Sequence, residues 1–225
     1  MNNLAVHLDH GPNLRAFVRR ALRGLFVPAL VLGMTTAAFA RSPPAQQARP
    51  PIGIRGTLTS VTDDSIKVHT NQGDDVVVKI GKDTQVRAVT LARITDIQAG
   101  SYIGTAAIPQ PDGSQKALEV HVFPPAMAGT GDGHRAFDLA PNSTMTNGTV
   151  GDLVVSNGRT LTLKYKGGEK KIIVPDDVPI VNLLPGDKSL LKVGTKVVMF
   201  AKKDAGGSLS AGFISAGKDG VTPPM

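Results

Sequence analysis

The feature that most constrains this chain is an internal repeat of about 70 residues. The motif Gly56-Thr57-Leu58 returns 92 residues later as Gly148-Thr149-Val150. Four further landmarks return after 94 residues: Gly73 as Gly167, Asp83 as Asp177, Gly100 as Gly194, and Gly113-Ser114 as Gly207-Ser208. Two extra residues near Ser156-Asn157-Gly158 account for the longer offset. Because turns and strand faces match in both copies, the repeat predicts two units of the same fold.

Each unit has the alternating residue pattern of an all-β fold. In the first unit, hydrophobic and polar residues alternate over five segments, 54–61, 66–70, 76–80, 102–108 and 117–123. Alternation with period two is typical of half-buried strands, and turn residues separate the segments. Before the fourth segment, Leu91, Ile94 and Ile97 recur at spacings of three, which indicates a short helix that ends at Gly100.

This order of elements favours a closed barrel. A single sheet of five short strands cannot bury its apolar side alone, so it closes on itself or packs on a partner. Five strands with a helix between the third and the fourth follow the order of an OB-type barrel. We therefore predict an all-β protein with one short helix per unit, built as two tandem five-stranded OB-like barrels from an internal duplication.

The repeat and its flanks divide the chain into six predicted parts. These are a signal peptide (1–40), a Pro-rich linker (41–53), barrel 1 (54–124), an ordered connector (125–147), barrel 2 (148–217) and a C-terminal tail (218–225). The linker begins RSPPAQQARPP, and its four prolines without an apolar pattern are typical of an extended spacer.

The first 40 residues have the three-part pattern of a secretory signal peptide. Four arginines (Arg15, Arg19, Arg20 and Arg23) precede the apolar run Leu25–Phe39, and Ala38-Phe39-Ala40 supplies the small residues that a signal peptidase recognises. The apolar run is shorter than the roughly 20 residues of a membrane-spanning helix, which argues against an anchor. We expect cleavage after Ala40 and a periplasmic or secreted protein without a transmembrane helix, exported by the Sec or the twin-arginine route.

Composition excludes some chemistry for the mature chain. The sequence has no cysteine, so disulfides and thiolate catalysis are absent. Removing the leader, with its four arginines and one aspartate, lowers the formal charge from +7 to +4. That charge is ordinary for a soluble domain and attracts anions only weakly at long range.

With both units laid out, the chain resembles an uncharacterised family of secreted bacterial proteins with tandem OB-like β-barrel domains. The resemblance covers residues 54–225 and is carried by these motifs: Gly56-Thr57-Leu58, Thr84, Ile97–Gly100, Gly113–Val120, Gly148-Thr149-Val150, Leu191–Gly194 and Gly207–Ile214. Val178 replaces the threonine that Thr84 provides in the first unit. The resemblance implies an OB-like fold and an exported location, and it implies no activity.

Two clusters of polar residues are candidate sites. In the connector, Asp132, His134 and Asp138 are possible metal ligands, with His121 as a further candidate. The alternative is a structural connector, in which Arg135 pairs with a carboxylate, Phe137 fills a gap between the barrels and the glycines adopt positive φ. His69 and His121 are expected at the surface or the barrel rim, because the second unit has no histidine at the matching positions. The alternative is a weak metal site with Glu119, if the second and fifth strands bring the two histidines together.

The second cluster is a basic hairpin in the second unit. Its possible anion-binding residues are Lys164, Lys166, Lys170 and Lys171. Barrels that bind single-stranded nucleic acid combine such charge with stacking aromatics, and here only Tyr165 is available, which disfavours nucleic acid. A solvated lysine face is the alternative interpretation.

The sequence contains no motif for a catalytic nucleophile or a phosphate-binding loop. We therefore predict an exported, non-enzymatic binding or scaffolding module of the cell envelope, without a cofactor. Its partner would be an envelope macromolecule or a small ligand, and its oligomeric state stays open. Two alternatives remain, a periplasmic metal-handling protein using the connector cluster and a binder of anionic polymers using the basic hairpin.

Overall fold

The computed structural model describes residues 50–154 and 159–225, which form fourteen strands and three short 3₁₀ turns. The strands are β1 (Ile52–Val61), β2 (Ser65–Thr70), β3 (Asp75–Lys79), β4 (Gln85–Leu91), β5 (Tyr102–Pro109), β6 (Gln115–Val122), β7 (Gly133–Ala136), β8 (Thr144–Val154), β9 (Thr160–Tyr165), β10 (Gly168–Ile173), β11 (Ile180–Pro185), β12 (Lys196–Lys203), β13 (Leu209–Ser210) and β14 (Phe213–Gly217). The turns are Ile94–Asp96, Pro125–Met127 and Lys188–Leu190. The predicted signal peptide, the linker up to residue 49 and the insertion at Ser156-Asn157-Gly158 lie outside the described residues.

The five strands predicted for the first unit are all present, and the protein is nearly all-β. The predicted helix is reduced to the single 3₁₀ turn Ile94–Asp96, after which Gly100 has a φ of +87°. Strand β4 follows the third strand as a sixth strand of the first unit. None of the helical segments in the described residues is long and apolar enough to cross a membrane.

Hydrogen bonds close the strands into two circuits of five. The first runs β1–β2–β3–β13–β12 and returns to β1, and the second runs β8–β9–β10–β6–β5 and returns to β8. Each circuit contains one parallel pair, β3 with β13 and β10 with β6, while its other pairs are antiparallel. Closure removes the exposed edges that an open five-stranded sheet would leave.

Neither circuit coincides with one of the predicted segments 54–124 and 148–217. Strands β1–β3 of the first segment close with β12 and β13 of the second, and β8–β10 of the second close with β5 and β6 of the first. The two segments therefore exchange their last strands, where a tandem arrangement would have each barrel built from one segment. Strands β4 and β11 lie between the two circuits and pair antiparallel with each other, with Val89 opposite Leu183.

Buried side chains confirm that each circuit encloses an apolar core shared by both segments. The first core includes Leu58 and Val68 together with Met199 and Ile214. The second includes Ile103 and Val120 of one segment, and it also includes these residues of the other: Leu161, Leu163 and Ile172. A third cluster surrounds the β4–β11 pair and includes Phe123 and Met225.

The repeated Gly-Thr-aliphatic motif marks the point where a strand changes partner. Strand β1 pairs with β12 up to Thr57 and with β2 from Gly56 onward, and β8 passes from β5 to β9 at Thr149. A Cβ on Gly56 would overlap the carbonyl oxygen of His69, and a Cβ on Gly148 would crowd the carbonyl of Lys164. Glycine is therefore required where the crossing backbones approach most closely.

Cutting the connector tests the exchange of strands. A sequence-specific protease site inserted between the exposed residues Pro141 and Asn142 should give two pieces that stay together at the mass of the intact chain. Each piece lacks strands of both circuits. After the pieces are separated in denaturant and returned to native buffer, neither should therefore unfold cooperatively on its own. Size-exclusion chromatography with light scattering measures the first outcome and urea titration the second. Pieces that separate in native buffer and unfold cooperatively on their own would contradict the exchange.

Candidate functional site

The structure does not bring the predicted metal ligands of the connector together. Asp132 and Asp138 lie beyond opposite ends of β7, and His134 lies within it. Each residue of a strand advances the chain by about 3.3 Å, so the two carboxylates are too far apart to share one ion. Across residues 50–154 and 159–225, no group of three or more His, Cys, Asp or Glu side chains is placed to hold a metal ion.

Two of these residues have structural partners instead. The Asp132 carboxylate accepts a hydrogen bond from the Lys166 backbone N–H at 2.6 Å. The Nδ1 atom of His134 lies 2.8 Å from the Thr146 hydroxyl, and its ring stacks on Tyr165 with centroids 6.1 Å apart. Burial, with the nearby Lys170 charge, lowers the pKa of His134 below its ordinary value. Both contacts fix the connector to the sheet beside it.

Asp138 belongs to a latch made by Arg55. The guanidinium of Arg55 donates to Asp138 Oδ1 at 2.8 Å and to the main-chain oxygen of Met225 at 2.6 Å. It also lies 5.7 Å from the ring centre of Phe137 and 5.9 Å from that of Phe200. One arginine on β1 thus holds both the connector and the C-terminal segment, and Phe137 packs between parts of the fold as a structural connector requires.

Of the two other expectations for the connector, the one on glycine conformation is confirmed and the one on the partner of Arg135 is wrong. Gly129, Gly131 and Gly133 all have positive φ, as predicted. Arg135, however, donates to the carbonyl oxygen of Gly131 at 2.9 Å, where a carboxylate partner was expected.

His69 and His121 occupy different environments. His69 is exposed on β2 and lies 2.9 Å from Asp75 on β3. His121 is only 3% exposed, so the surface, one of its two predicted places, is wrong. The alternation along β6 placed it correctly on the same face as Glu119, but other chain segments cover that face. Its Nδ1 lies 3.0 Å from Oε2 of Glu119, which is itself fully buried.

Gly104 on β5 makes room for this buried pair. A Cβ at Gly104 would overlap His121 Nε2 and lie 2.5 Å from Asn147 Oδ1. The same Oδ1 is buried and has no hydrogen-bond partner among the described residues. Glu119, His121 and Asn147 therefore form a packed polar cluster in which the absence of a side chain at Gly104 is essential.

The four lysines of the basic hairpin do not form one surface. Lys164 and Lys171 are exposed on one face of the β9–β10 ladder, where Glu169 lies opposite Lys164 and offsets its charge. Lys170 is partly buried near His134, and Lys166 lies in the turn between the strands. The result agrees better with a solvated face than with a concentrated anion site.

A cleft that sequence reasoning missed lies beside strands β4 and β14. Its volume is about 1110 Å³, and four segments of the chain form its walls. The lining residues are Lys82, Thr84, Gln85, Val86, Arg87, Ala126, Met127, Thr130, Pro185, Gly186, Asp187, Lys188, Ser189 and Phe213. Arg87 and Phe213 also line a smaller cavity of about 100 Å³, which Met225 adjoins.

Arg87 is the most distinctive group of the cleft. It lies opposite Ser215 in the parallel β4–β14 pair, and its Nε donates to the Ser215 hydroxyl at 2.9 Å. Its guanidinium carbon lies 4.0 Å from the centre of the Phe213 ring. Burial lowers the pKa of Arg87 to about 10, because its charge is partly removed from water. It forms no ion pair with any described carboxylate.

The remaining charges of the cleft are mostly positive. Lys188 donates to the carbonyl oxygen of Gly81 at 2.7 Å, and Lys82 is exposed at the rim. Asp187 is the one acidic residue of the lining, and its carboxylate accepts a hydrogen bond from the Ser189 backbone N–H at 2.7 Å. Hydrogen bonds from the Ser189 side chain and from its backbone N–H lower the pKa of Asp187 below its ordinary value. An arrangement of this kind can bind an anion by hydrogen bonds and charge.

Removing the Asp138 carboxylate tests the latch. Since Arg55 lowers the pKa of Asp138 below 3.8, the pair stabilises the fold above pH 4 and loses its effect as pH falls through the lowered pKa. Asp138→Asn should therefore reduce the free energy of unfolding by up to about 1 kcal/mol at pH 7, because the pair is half-exposed. Urea unfolding of the variant and the wild-type protein at pH 7 and pH 2.5 measures this loss of stability. Asp63→Asn, at an exposed turn, is the control; equal losses at both pH values would refute the latch.

Adding a methyl group at Gly104 tests the buried polar cluster. Gly104→Ala should lower the free energy of unfolding by about 1–3 kcal/mol, since the new Cβ has no free space. Gly212→Ala is the matched control, because nothing lies within 4 Å of the position its Cβ would occupy. Thermal and urea unfolding of both variants provide the comparison, and equal stability of the two would show that the cluster is not tightly packed.

Comparisons with known proteins offer no family to set beside this geometry. A scan against protein-family models finds no match, and neither do searches of the curated proteins and of the solved structures. The function of the chain is therefore inferred from its cleft and from the charges that line it.

Proposed function

We propose that this chain is an exported, non-enzymatic binding module of the cell envelope, whose ligand occupies the cleft beside Arg87. It consists of two OB-like barrels that derive from an internal duplication and exchange strands. The cleft is the observation that carries the proposal.

The hydrogen-bonding pattern supports a duplicated OB-like unit. Each circuit has three consecutive strands from one half of the chain and two from the other. In both, the third of the consecutive strands pairs in parallel with a strand of the other half, β3 with β13 and β10 with β6. Leu58 N–H donates to the Thr195 carbonyl at 2.9 Å, and the equivalent Val150 N–H donates to the Ser101 carbonyl at 2.8 Å. Five-stranded barrels with Greek-key order are the basis of the OB fold, which commonly presents binding surfaces.

The form of the cleft favours a bound small molecule. Ligand sites in proteins are concave, mostly apolar and provided with a few fixed polar groups. Here Val86, Met127 and Pro185 supply apolar walls, while Arg87 is held in place by Phe213 and Ser215. The volume, about 1110 Å³, is sufficient for an organic ligand of moderate size.

The chemistry of the lining favours binding over catalysis. The described lining residues include no histidine and no thiol, which are the commonest groups for proton transfer and nucleophilic attack near neutral pH. The hydroxyls of Thr84, Thr130 and Ser189 have no imidazole beside them in the cleft. Retention of a ligand, or its delivery to another envelope component, is the role that such a site serves.

Native mass spectrometry of protein recovered from its own envelope fraction tests the proposal. An exported protein should have a mass that starts at Arg41, and the wild-type protein should retain a small molecule. Ala126→Trp should lose that molecule, because the indole would fill part of the cleft. Ala128→Trp is the matched control, since Ala128 is exposed and lies outside the lining. Equal retention by both variants would place the ligand elsewhere, and a mass that includes the leader would refute export.

A further inference from the structure

We propose, on the basis of the cleft as the ligand site, that the ligand is an amphipathic organic anion. Its carboxylate or phosphate group is bound by the guanidinium of Arg87, and its apolar part lies along the walls of the cleft.

The contacts of Arg87 leave its terminal nitrogens available. Ser215 accepts the hydrogen bond from Nε, and the Phe213 ring lies 4.0 Å from the guanidinium carbon. Neither terminal nitrogen of Arg87 hydrogen-bonds to a residue in the described part of the chain. A guanidinium presents paired N–H donors that match a carboxylate or phosphate bidentately. Arg87 is therefore held in position by the protein, with its terminal N–H donors available to a ligand.

The charge balance of the cleft agrees with an anionic ligand. Three cations, Lys82, Arg87 and Lys188, line the cleft together with one carboxylate, Asp187. The Asp187 carboxylate accepts the Ser189 N–H and does not pair with Arg87. A partly buried cation without a counter-ion is unfavourable, and binding of an anion would offset this desolvation.

The apolar walls distinguish an organic anion from an inorganic one. Val86, Ala126, Met127, Pro185 and Phe213 all contribute to the lining, and the volume far exceeds that of a phosphate ion. Met127 lies on the connector and is flexible, which allows the cleft to adapt to an alkyl or aryl group. A ligand with one anionic end and an apolar body satisfies both parts of the site.

Comparison of the two halves of the sequence shows that the charged and stacking residues of the cleft are not needed for the fold. At the offset of 94 residues, Arg87 corresponds to Val181 and Phe213 to Glu119. Lys82 corresponds to Asp176 and Lys188 to Ile94. The same strands β4 and β11 thus form equally well with valine in place of arginine. Arg87 and Lys82 belong to the first half of the sequence, and Phe213 and Lys188 belong to the second. None of the four recurs at the equivalent position of the other half, although together they line one cleft, which points to a binding role.

Binding of three probes of equal chain length tests the ligand class. Decanoate and decyl phosphate carry the two candidate anions, and decanol is the neutral reference. Isothermal titration calorimetry should show that at least one anion binds the wild-type protein more tightly than decanol. Arg87→Gln should weaken the anion by about 10- to 100-fold, the range expected for charge-assisted hydrogen bonds, and leave decanol unchanged. The preferred anion distinguishes a carboxylate from a phosphate ligand.

Controls separate this inference from the proposed function. Lys192→Gln removes the same charge from an exposed residue outside the lining and should leave affinity unchanged. If Ala126→Trp blocks all probes but Arg87→Gln has no selective effect, the cleft is a ligand site and the anionic class is wrong. If probes bind equally to Ala126→Trp, the proposed site itself fails. If neither anion binds the wild-type protein at millimolar concentration, the inference is overturned.

A direct measurement covers the case in which Arg87→Gln does not fold. The ¹⁵N–¹H resonance of Arg87 Nε in the wild-type protein should shift on addition of the anion that binds, and it should not shift with decanol. Unchanged Arg87 resonances at saturating anion would overturn the inference.

Discussion

The closure of each five-stranded circuit by strands from the other half of the chain is the constraint on which the rest of the structure depends. Strands β1–β3 bury Leu58 and Val68 only because Met199 and Ile214 of the other half complete the core. In the second circuit, Leu163 of the second half is buried against Ile103 and Val120 of the first half. A three-stranded sheet alone would leave both its edges and its apolar face exposed, so neither half is a complete folding unit.

This exchange also creates the cleft. Because β4 and β11 run antiparallel between the circuits, Pro185 lies opposite Arg87. The segment that follows β11 is thereby placed beside the start of β4, and the residues after β6 add Ala126 and Met127 as the remaining wall. In a tandem arrangement without the β4–β11 pair these segments would have no reason to meet. The latch from Arg55 to Asp138 and Met225 then holds the connector and the C-terminal segment on the joined halves.

The alternating pattern predicted the strands but could not predict which copy would pair with which. Equivalent residues such as Val120 and Ile214 have the same hydrophobic character and the same face, so either could complete a given circuit. The alternation placed His121 on the correct face of β6, yet exposure depends on the segments that cover this face. The structure does not bring the proposed metal ligands Asp132, His134 and Asp138 together, because residues close in sequence are well separated along an extended strand. Arg87 lies outside the repeated motifs, and Phe213 lies within Gly207–Ile214 without contributing to its glycine and aliphatic pattern. The mismatch of both residues with Val181 and Glu119 was nevertheless visible in the repeat.

The mismatch between Arg87 and Val181 also indicates why an arginine is found at position 87. Valine at the equivalent position, Val181, is fully buried and contributes to the apolar cluster around β4 and β11. Arginine at position 87 gives up that contribution and leaves a cation that is partly removed from water and has no carboxylate partner among residues 50–154 and 159–225. Stacking on Phe213 and the bond to Ser215 orient the guanidinium but do not neutralise it. Sequences depart from the most stable choice mainly where a site requires it, and an anion bound at Arg87 would supply both the missing charge and the missing hydrogen bonds.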